Sequence, residues 1–569
     1  MTTPTTPDPR AELDFLDLPT MLADAASAHP LSPAVFDGDR CLTFGELDAA
    51  LDRVAATLQR EGLGPGDVVA VVAAASAEVL GLFLGALRAG LAVAPLAPSS
   101  TPAQLADMLA DCEARIVFVD ADAAAALRGT PLPAATKTVV LLPGGAGEGV
   151  DSGADDARAF ATRTLGGEAH RLYEDWLVAA AEHAAAGAAG AADVPTAPVR
   201  VRPAPVRIDP AWPFNIIYSS GTTGTPKGIV QPHAMRWAHI RRGSATGYGP
   251  GSVTLVATPL YSNTTLVCLI PSLAWGGAVV LMKKFDALAY LELAARHRVT
   301  HTMLVPVQYQ RLMAHPRFDE FDLTSFVAKF CTSAPFHAEL KAQVLRRWPG
   351  GLTEYYGMTE GGGTCILHCH LHPNKLHTVG PPSEGHDVRL IDEAGRELPR
   401  AAPGQDSATG EVVGRSPGMM SGYHRRPEQT AEAEWFDAEG RRYIRTGDIG
   451  HFDAEGFLVL TDRRKDMIIS GGFNIYPSDL EAVLRRHPAV ADVAVFGVPS
   501  PQWGETPVAT AVLHAGAAVE AEELRAWANA QLGKTQRLSA LRLVAELPRS
   551  AIGKVLRREL RERWEGGAG

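Results

Sequence analysis

The sequence lacks two features that would place the protein in a membrane or on a nucleic acid. Its most apolar stretch, residues 68 to 96, is interrupted by Glu78, Arg88 and three glycines, whereas a membrane-spanning helix needs about 20 predominantly apolar residues. The formal net charge is -11, and no basic run with interleaved aromatic residues is present. We therefore expect no transmembrane segment and no nucleic-acid partner.

Cysteine is also scarce in this chain. Six cysteines are scattered over 569 residues without the paired spacing of a secreted disulfide framework, which favours reduced thiols in the cytoplasm. Residues 1 to 10 are rich in threonine and proline and do not show the basic-then-apolar pattern of a signal peptide. We predict a cytoplasmic protein without a signal peptide.

Apolar residues are plentiful, at 46% of the chain. A chain of this length is too long for a single core, so two or more domains are expected. Residues 67 to 73 read as a buried strand, residues 77 to 88 as a helix and residues 92 to 96 as the next strand, an alternation typical of a parallel sheet covered on both faces. The predicted fold class is α/β, with a large multi-sheet N-terminal domain and a small C-terminal α+β domain.

The pattern along the chain predicts three segments. Residues 1 to 12 are expected to be disordered, and residues 13 to 464 to form the N-terminal domain, with Thr43 capping the first recognisable helix. Residues 144 to 210 are rich in Ala, Gly and Pro and predict a surface insertion with one helix around residues 173 to 178. In the C-terminal domain, residues 465 to 569, we predict strands over 467 to 469, 490 to 498, 506 to 513 and 541 to 544, and helices over 478 to 487 and 521 to 532.

One loop is dense in hydroxyl groups and glycines: residues 218 to 228, with the sequence YSSGTTGTPKG. Glycines let backbone N–H groups turn toward oxyanions, Ser and Thr hydroxyls donate further hydrogen bonds, and Lys227 places a positive charge beside a polyphosphate. The spacing is not that of a Walker loop. Apolar residues flank the loop on both sides, so we predict a phosphate-binding loop between two strands.

Four further stretches carry residue types suited to nucleotide chemistry. Residues 354 to 360 (EYYGMTE) offer an aromatic ring for a base, a hydroxyl for a phosphate and a carboxylate for Mg²⁺. Residues 445 to 448 (RTGD) place an acid where it can accept both ribose hydroxyls. Residues 469 to 477 form a glycine turn before a helix capped by Ser478, and residues 548 to 554 (PRSAIGK) put a lysine on a flexible loop.

The five motifs, in this order, resemble those of the adenylate-forming superfamily: acyl- and aryl-CoA synthetases, luciferases and the adenylation domains of peptide synthetases. The resemblance extends from Thr43 to about Leu560. It implies two half-reactions. A carboxylate attacks the α-phosphate of Mg-ATP to give an acyl-adenylate and pyrophosphate, and a thiol then displaces AMP. The cofactors implied are ATP, Mg²⁺ and coenzyme A as co-substrate, and the C-terminal domain is expected to be a mobile lid.

The resemblance also implies roles for individual residues. Lys554, Thr223 and Glu360 would be catalytic, with Glu360 carrying the metal and Lys465 at the hinge. The substrate pocket would include Tyr261, Ser262, Asn263, Gly361 and Gly362. The nucleotide and coenzyme would contact Ser219, Ser220, Gly221, Thr222, Thr223, Gly224, Lys227, Ser333, Ala334, Pro335, Tyr355, Tyr356, Gly357, Thr359, Asp448, Arg463 and Gly471.

The acid itself is less well determined. Amino-acid-activating relatives have an Asp near residues 259 to 268, and this sequence has none there, so an α-amino acid is disfavoured and a fatty, aryl or alicyclic acid is expected. Many acyl- and aryl-CoA synthetases have a His where Ser262 stands. Asn263 could bind a polar group of the acid or satisfy the backbone.

Alternatives remain for the acceptor and for the enzyme class. A CoA ligase is the first interpretation, with the acid and CoA as partners and a homodimer as an option. The alternative is a stand-alone adenylating enzyme that loads a carrier protein. A luciferase-like enzyme has no distinguishing residue here, and a regulatory protein with a decayed site is disfavoured by Lys227, Glu360, Asp448 and Lys554.

Two clusters near the motifs receive a structural interpretation. Residues 365 to 372 (CILHCHLH) crowd Cys and His together, but no second pair closes a tetrahedral zinc site at a typical spacing, so we expect these residues to line the acyl pocket. Arg557, Arg558 and Arg561 are expected to form a solvated helix face.

Overall fold

Two eight-stranded sheets form the larger part of the structure, and two five-stranded sheets follow. This computed structural model describes residues 8–143, 170–177, 201–219, 226–401, 404–463, 466–470, 473–501, 503–532, 536–550 and 553–565. None of the helices within these ranges is long and apolar enough to cross a membrane.

The described α-helices and strands alternate through most of the chain. The helices span Leu18–Ala28, Phe44–Arg60, Ala77–Arg88, Pro102–Cys112, Ala121–Ala126, His233–Gly243, Asn263–Ala274, Ala287–Arg296, Pro306–Met313, Ala338–Arg347, Pro427–Glu432, Pro477–Arg485, Ala521–Asn529 and Arg557–Glu565. The strands are β1 Pro33–Asp37, β2 Arg40–Thr43, β3 Val68–Val72, β4 Ala92–Leu96, β5 Ile116–Val119, β6 Thr138–Leu141, β7 His170–Leu172, β8 Pro213–Ser219, β9 Lys227–Pro232, β10 Val253–Val256, β11 Ala278–Leu281, β12 His301–Leu304, β13 Ala328–Cys331, β14 Gly351–Tyr356, β15 Cys365–His368, β16 Asp387–Ile391, β17 Gly410–Arg415, β18 Gly422–Tyr423, β19 Glu434–Phe436, β20 Arg442–Phe452, β21 Leu458–Arg463, β22 Ile468–Ser470, β23 Phe473–Ile475, β24 Val490–Ser500, β25 Gly504–Leu513 and β26 Ala540–Leu543.

Both large sheets are parallel inside. The first is antiparallel at both edges, whereas the second is antiparallel only at the edge formed by β8, β9 and β18, since β7 pairs in parallel with β6. The first has the order β15-β14-β13-β12-β10-β11-β1-β2, and the second the order β18-β9-β8-β4-β3-β5-β6-β7. Strands β3 and β4 pair in parallel around the helix Ala77–Arg88, which confirms the strand, helix, strand unit predicted for this stretch. Helices cover both faces of each sheet, because such strands are apolar on both sides.

The largest hydrophobic core lies between the two sheets. It contains Val279 of the first sheet and Val69 of the second, together with apolar residues of the helices Phe44–Arg60 and Ala77–Arg88. The two helices approach closely at Gly85, where an added Cβ would lie 2.6 Å from Val54 Cβ. The Thr43 cap is confirmed as a capping box with Glu46, each side chain accepting the other's backbone N–H.

The third sheet, with β16, β17, β19, β20 and β21, is antiparallel. The fourth, with β22 to β26, carries the helices Pro477–Arg485 and Ala521–Asn529 on a separate core. Each element predicted for this C-terminal part is present, with ends shifted by up to three residues. Ser478 is not the cap of its helix; its hydroxyl donates to the Thr461 carbonyl instead. Residues 464 and 465, the predicted boundary and hinge, lie outside the described residues.

The structure corrects the sequence prediction at the N-terminus and in the predicted insertion. Pro9–Glu12 form a 3-10 helix capped by Asp8, so part of the expected disordered terminus is ordered, and the helix Leu18–Ala28 precedes the first one predicted. The helix predicted around residues 173 to 178 is confirmed over residues 173–177. However, strand β7 extends the second sheet, and Trp176 of this helix is fully buried against Phe118. The described part of residues 144 to 210 therefore contributes to the core, because an indole of this size stabilises by burial.

Candidate active site

The carboxyl ends of the parallel strands in the first sheet lie side by side. Leu304 of β12 is opposite Cys331 of β13, which in turn is opposite Glu354 of β14. The segments that follow these strands, including residues 332 to 335 and 355 to 360, therefore meet at one edge. Crevices outside the carboxyl ends of parallel strands are where α/β folds bind ligands.

Tyr356 and Asp448 are brought together across two sheets. The Tyr356 hydroxyl donates to Asp448 Oδ2 at 2.8 Å, and the Asp448 backbone N–H donates to the Thr446 hydroxyl at 3.0 Å. Burial, followed by the charge of Asp448, raises the pKa of Tyr356 well above its usual value, so the hydroxyl stays protonated as a donor. In the β20–β21 pair Asp448 is opposite Arg463, whose side chain is outside the described part of the structure.

A second tyrosine, Tyr423, connects two of the predicted site residues. Its hydroxyl donates to Glu360 Oε1 at 2.8 Å, and Lys227 Nζ lies 5.1 Å from the centre of its ring. Burial and the neighbouring Glu360 raise the Tyr423 pKa above its usual value. Strand β18 pairs with β9, placing Tyr423 opposite Ile229. No sequence motif signals Tyr423, since strand pairing alone brings it to Glu360 from 63 residues away.

The turn after β13 has a strained backbone. Ser333 has a positive φ of 81°, in a region of backbone conformation that residues other than glycine rarely occupy. Its hydroxyl is 2.6 Å from the Thr264 hydroxyl. Ala334 and Pro335 complete the turn. The hydrogen bond to Thr264 fixes this turn against the helix Asn263–Ala274, so the predicted small-residue turn and the predicted substrate segment are in contact.

The predicted pocket residues 261 to 263 have more structural roles than expected. Ser262 is buried and caps the helix Asn263–Ala274, accepting the Thr264 N–H at 3.3 Å, and burial raises the Tyr261 pKa. Asn263 Oδ1 accepts from Arg236 Nη1 at 2.9 Å and from Gln231 Nε2 at 3.3 Å. The Asn263 amide oxygen therefore binds side chains rather than the backbone.

Behind Asn263 lies a buried polar network that sequence reasoning missed. Arg236 donates to Asn215 Oδ1 at 2.8 Å and 3.1 Å and also to Gln231 Oε1. Gln231 Nε2 donates to the Thr359 carbonyl at 2.6 Å. The network ties β8, β9 and the helix His233–Gly243 to the segment that carries Glu360. No motif signals it, because its members are ordinary residues until the fold assembles them.

The same helix presents two more basic side chains. The Arg242 guanidinium lies 5.0 Å from the centre of the Tyr355 ring, and Tyr355 packs against Phe330 at 5.6 Å between ring centres. His239 Nδ1 is 3.4 Å from Arg236 Nη1. Burial and then the arginines lower the pKa of His239 well below its usual value, so the imidazole is neutral near pH 7.

The glycines after Glu360 allow a close approach of two backbones. Gly361 has a φ of +80°, and an added Cβ would lie 2.0 Å from the Gly418 carbonyl oxygen; at Gly362 the φ is +89° and the Gly414 carbonyl oxygen would lie 2.9 Å away. Both were predicted to line the substrate pocket. The contacts show that they seat the Glu360 segment on the third sheet. At Gly357 an added Cβ would meet only Thr364, at 3.4 Å.

The segment with Lys554 lies against the larger part of the molecule. An added Cβ on Gly553, whose φ is +75°, would lie 2.6 Å from Val307 Cγ1, so the loop contacts the start of the helix Pro306–Met313. The Lys554 backbone N–H donates to the Ser550 hydroxyl at 3.2 Å. Because Val305 follows β12, this contact lies at the sheet edge that also carries residues 355 to 360.

The arginines after Lys554 are not all solvated, contrary to the prediction. Arg557 forms ion pairs with Asp466 at 3.1 Å and with Glu481 at 2.7 Å, and Arg561 donates to the Gly497 carbonyl at 2.8 Å. Arg558 alone of the three is largely exposed, at 64% of its side chain. Two of these arginines therefore hold the last helix onto the C-terminal core.

The Cys and His cluster was expected to line the acyl pocket, but its two cysteines have a packing role instead. Cys365–His368 form β15, the edge strand of the first sheet, and the other four residues follow it. Cys365 and Cys369 are fully buried in two different hydrophobic clusters, and burial raises the pKa of the Cys369 thiol to about 12. His370 Nδ1 is 3.1 Å from the Leu352 carbonyl oxygen.

Part of the predicted nucleotide site lies outside the described residues. This applies to Ser220, Gly221, Thr222, Thr223, Gly224, Lys465 and Gly471, and of Ser219 and Arg463 only the backbone is described. The strands on both sides of the phosphate loop are confirmed: β8 and β9 form an antiparallel pair in which Ser219 is opposite Lys227.

Comparison with known proteins gives two family matches. Residues 22–424 match the model of the AMP-binding enzyme, and residues 479–554 that of the AMP-binding enzyme C-terminal domain. Feruloyl-CoA synthase from Amycolatopsis sp is 32% identical over 548 residues, covering 95% of this chain and 97% of the relative. Sulfoacetate–CoA ligase from Cupriavidus necator is 31% identical over 560 residues, covering 97% and 99%. The ATP-bound MatB structure from Rhodopseudomonas palustris has a TM-score of 0.76 at 27% identity, covering 97% and 99%.

Proposed function

The chain belongs to the AMP-binding enzyme family, the adenylate-forming superfamily, and from this premise we propose that it is an ATP-dependent ligase joining a carboxylic acid to CoA. The observation that carries the proposal is the meeting, at one sheet edge, of Tyr356 with Asp448 and of Glu360 with Tyr423. Two tyrosine-supported carboxylates, with Lys227 over the ring of one of the tyrosines, suit a nucleotide and its metal. Relatives of this chain include CoA ligases for chemically different acids, so membership of the family does not by itself identify the acid.

In the first half-reaction the protein positions ATP and the acid. Tyr356 would lie against adenine, and Asp448 would accept the ribose hydroxyls while Tyr356 supports it. Lys227, Thr223 and Thr359 would contact the phosphates. Lys554 would enter from the C-terminal part and neutralise the acid carboxylate and the α-phosphate as they approach each other, a stabilisation that grows toward the transition state.

Magnesium fits the carboxylate at Glu360. Mg²⁺ is commonly held by one or two carboxylates together with substrate phosphates and water, rather than by an all-protein cage. Glu360 supplies one such carboxylate, oriented through Oε1 by Tyr423. A bound Mg²⁺ would neutralise the phosphate charge there. The protein's own part is to fix the carboxylate, with Lys227 adding a positive charge over the Tyr423 ring.

In the second half-reaction the thiol attacks the acyl carbonyl and AMP leaves. We propose that the C-terminal part swings about Lys465, withdrawing Lys554 and presenting Gly471 to the pantetheine. The thiol proton leaves with solvent and no enzyme nucleophile is needed, since burial raises the pKa values of the described thiols Cys112, Cys268 and Cys369 to about 12, which makes them poor nucleophiles.

The test is pyrophosphate release from Mg-ATP with a panel of fatty, aryl, alicyclic and dicarboxylic acids, each with and without CoA. Multiple turnovers that require CoA and yield an acyl-CoA by mass spectrometry support the proposal. A single burst of pyrophosphate that CoA does not change would instead point to a carrier-protein thiol as acceptor. No pyrophosphate release with any acid would contradict both.

A further inference from the structure

Three basic side chains lie along one side of the helix His233–Gly243. Arg236, His239 and Arg242 are spaced by three residues, so they project from neighbouring positions of the helix surface. Arg236 is 1% exposed, and His239 and Arg242 are half-buried. A fourth basic side chain, His386, approaches from the segment before β16 and accepts the Thr364 N–H through Nδ1 at 2.9 Å.

The guanidinium of Arg236 is neutralised by no carboxylate of the described residues. Its hydrogen-bond acceptors there are the amide oxygens of Asn215, Gln231 and Asn263 and the imidazole of His239. Burying an ionised side chain without an opposite charge is costly. Burial accordingly lowers the pKa of Arg236 to about 9. The fold tolerates this cation by surrounding it with neutral acceptors.

Arg242 has no carboxylate partner among the described residues either, and its guanidinium lies over the face of Tyr355. The other side chains facing this position are basic as well. Arg236, Arg242 and His386 all lower the pKa of His239 after burial, and Arg242 lowers that of His386 after burial. Four basic groups thus lie close together, and two of them are guanidiniums. An ammonium group placed here would be repelled.

The cluster borders the part of the site where an acid substrate would lie. Arg236 binds Asn263 at the start of the helix that follows residues 261 and 262, and Arg242 contacts Tyr355, which directly precedes Tyr356. Tyr355 also packs against a hydrophobic cluster of Cys268, Met303 and Phe330. An acid extending from the adenylate toward this cluster would pass apolar side chains and end at a positive charge.

Building on the proposed ligase function, we infer that the acid substrate carries a second anionic group, a carboxylate or a sulfonate, that binds Arg242. Arg236 attracts the anion only through its charge, because its N–H groups already donate to Asn215, Gln231, Asn263 and His239. Arg242 makes the direct contact, since a guanidinium can bind a carboxylate or sulfonate through two parallel hydrogen bonds. The anion would supply the opposite charge that the described protein groups do not.

The experiment compares acids that differ only in the second charge. The kcat/KM for pyrophosphate release is measured in the presence of CoA for the dicarboxylates of three to six carbons and for their monoamides. Acids in which a sulfonate replaces the second carboxylate are measured in the same way. For the best chain length, kcat/KM with the dicarboxylate or sulfo acid should exceed kcat/KM with its neutral partner by about 10- to 100-fold. This factor corresponds to the free energy of a hydrogen bond to a charged group. Arg242→Gln should reduce this ratio to below about threefold, and Arg242→Lys should retain part of it.

The matched control is Arg241→Gln, which removes the same charge from the exposed neighbour on the same helix and should leave the ratio unchanged. Because the ratio is taken within one variant, it does not depend on the fraction of folded protein. Turnover of neutral acids with equal or lower activity on their anionic partners would overturn the inference while leaving the ligase intact. An anionic preference that survives Arg242→Gln would overturn it too, whereas failure of every acid would count against the ligase itself.

Discussion

Around residues 356 to 360 two carboxylates each accept a hydrogen bond from a tyrosine: Asp448 from Tyr356 and Glu360 from Tyr423. Around the helix His233–Gly243 the charged groups are the guanidiniums of Arg236 and Arg242, bounded by amides, imidazoles and an aromatic face. The first arrangement suits the nucleotide that gives the AMP-binding enzyme family its name. The second suits the anionic acid inferred above.

The comparison teaches that two sides of one crevice can differ in how the protein partners their charged groups. A carboxylate that receives a hydrogen bond remains ready for a cation or a ribose. A buried guanidinium without a carboxylate attracts an anion. Substitutions on the nucleotide side should therefore slow all acids equally, whereas substitutions on the helix His233–Gly243 should change the choice among acids.

The largest expected effect is on the nucleotide side. Lys554→Ala should slow pyrophosphate release by about 100- to 1,000-fold, because a charge that stabilises the transition state is lost. The factor should be the same for neutral and anionic acids, and thioester formation from supplied acyl-adenylate should be largely retained. The measurement is single-turnover pyrophosphate release for each acid.

Arg558→Ala is the control for Lys554→Ala, since it removes an exposed positive charge nearby and should change neither half-reaction. Normal pyrophosphate release in Lys554→Ala would show that the lysine is not needed for adenylation. A loss of pyrophosphate release confined to anionic acids would mean that Lys554 acts together with Arg242 on the acid. The proposed difference between the nucleotide side and the acid side would then be wrong.

Arg236→Leu should destabilise the fold by about 2 kcal/mol, because a buried amide oxygen without a donor costs about 1–3 kcal/mol. Asn215 Oδ1 loses both of its hydrogen bonds from Arg236, whereas Gln231 Oε1 and Asn263 Oδ1 each keep a second donor. Tyr356→Phe, the matched deletion on the nucleotide side, should cost about 1 kcal/mol. Urea unfolding of both variants measures the difference. Equal losses of unfolding free energy would mean that the buried polar groups on the two sides contribute equally to stability.

Tyr423→Phe should lower kcat/KM by about tenfold for every acid and raise the Mg²⁺ concentration for half-maximal rate, because Glu360 loses a charged hydrogen bond. Tyr443→Phe deletes a comparable tyrosine hydroxyl, bonded to Asp387 at 2.6 Å in the third sheet, and should leave the Mg²⁺ dependence unchanged. Steady-state rates over a Mg²⁺ titration test both. An unchanged Mg²⁺ dependence in Tyr423→Phe would mean that Glu360 does not need its tyrosine.

The smallest effect concerns pH. Burial, and then Arg242, lowers the pKa of His386 from 6.5 to about 4, so the unfolded chain takes up this proton first as the pH falls. The stability that His386 contributes is present above about pH 6.5 and is lost between there and about pH 4. His386→Asn, which keeps an acceptor for the Thr364 N–H, should flatten this part of the curve of unfolding free energy against pH. An unchanged slope would mean that His386 is not held neutral.

Much of the fold could be predicted from sequence where the pattern is local. The strand, helix, strand unit from Val68 to Leu96 follows from apolar runs and their glycines, and the Thr43 cap from Thr and Glu three residues apart. The expected surface insertion was wrong around Trp176, because Ala- and Gly-rich neighbours hide a single large side chain that the second sheet buries. Composition averaged over many residues does not detect one such anchor.

The sequence by itself determined the family of this protein. The phosphate and ribose contacts that the family resemblance implies come from short motifs in which a few adjacent residues supply the needed groups, so Lys227, Glu360, Asp448 and Lys554 could be proposed without coordinates. Only the tertiary structure decided how Tyr423 reaches Glu360 and how Arg236, Arg242 and His386 come to face one another. Those groups lie far apart in the chain, and their charges matter only after burial has removed water from between them.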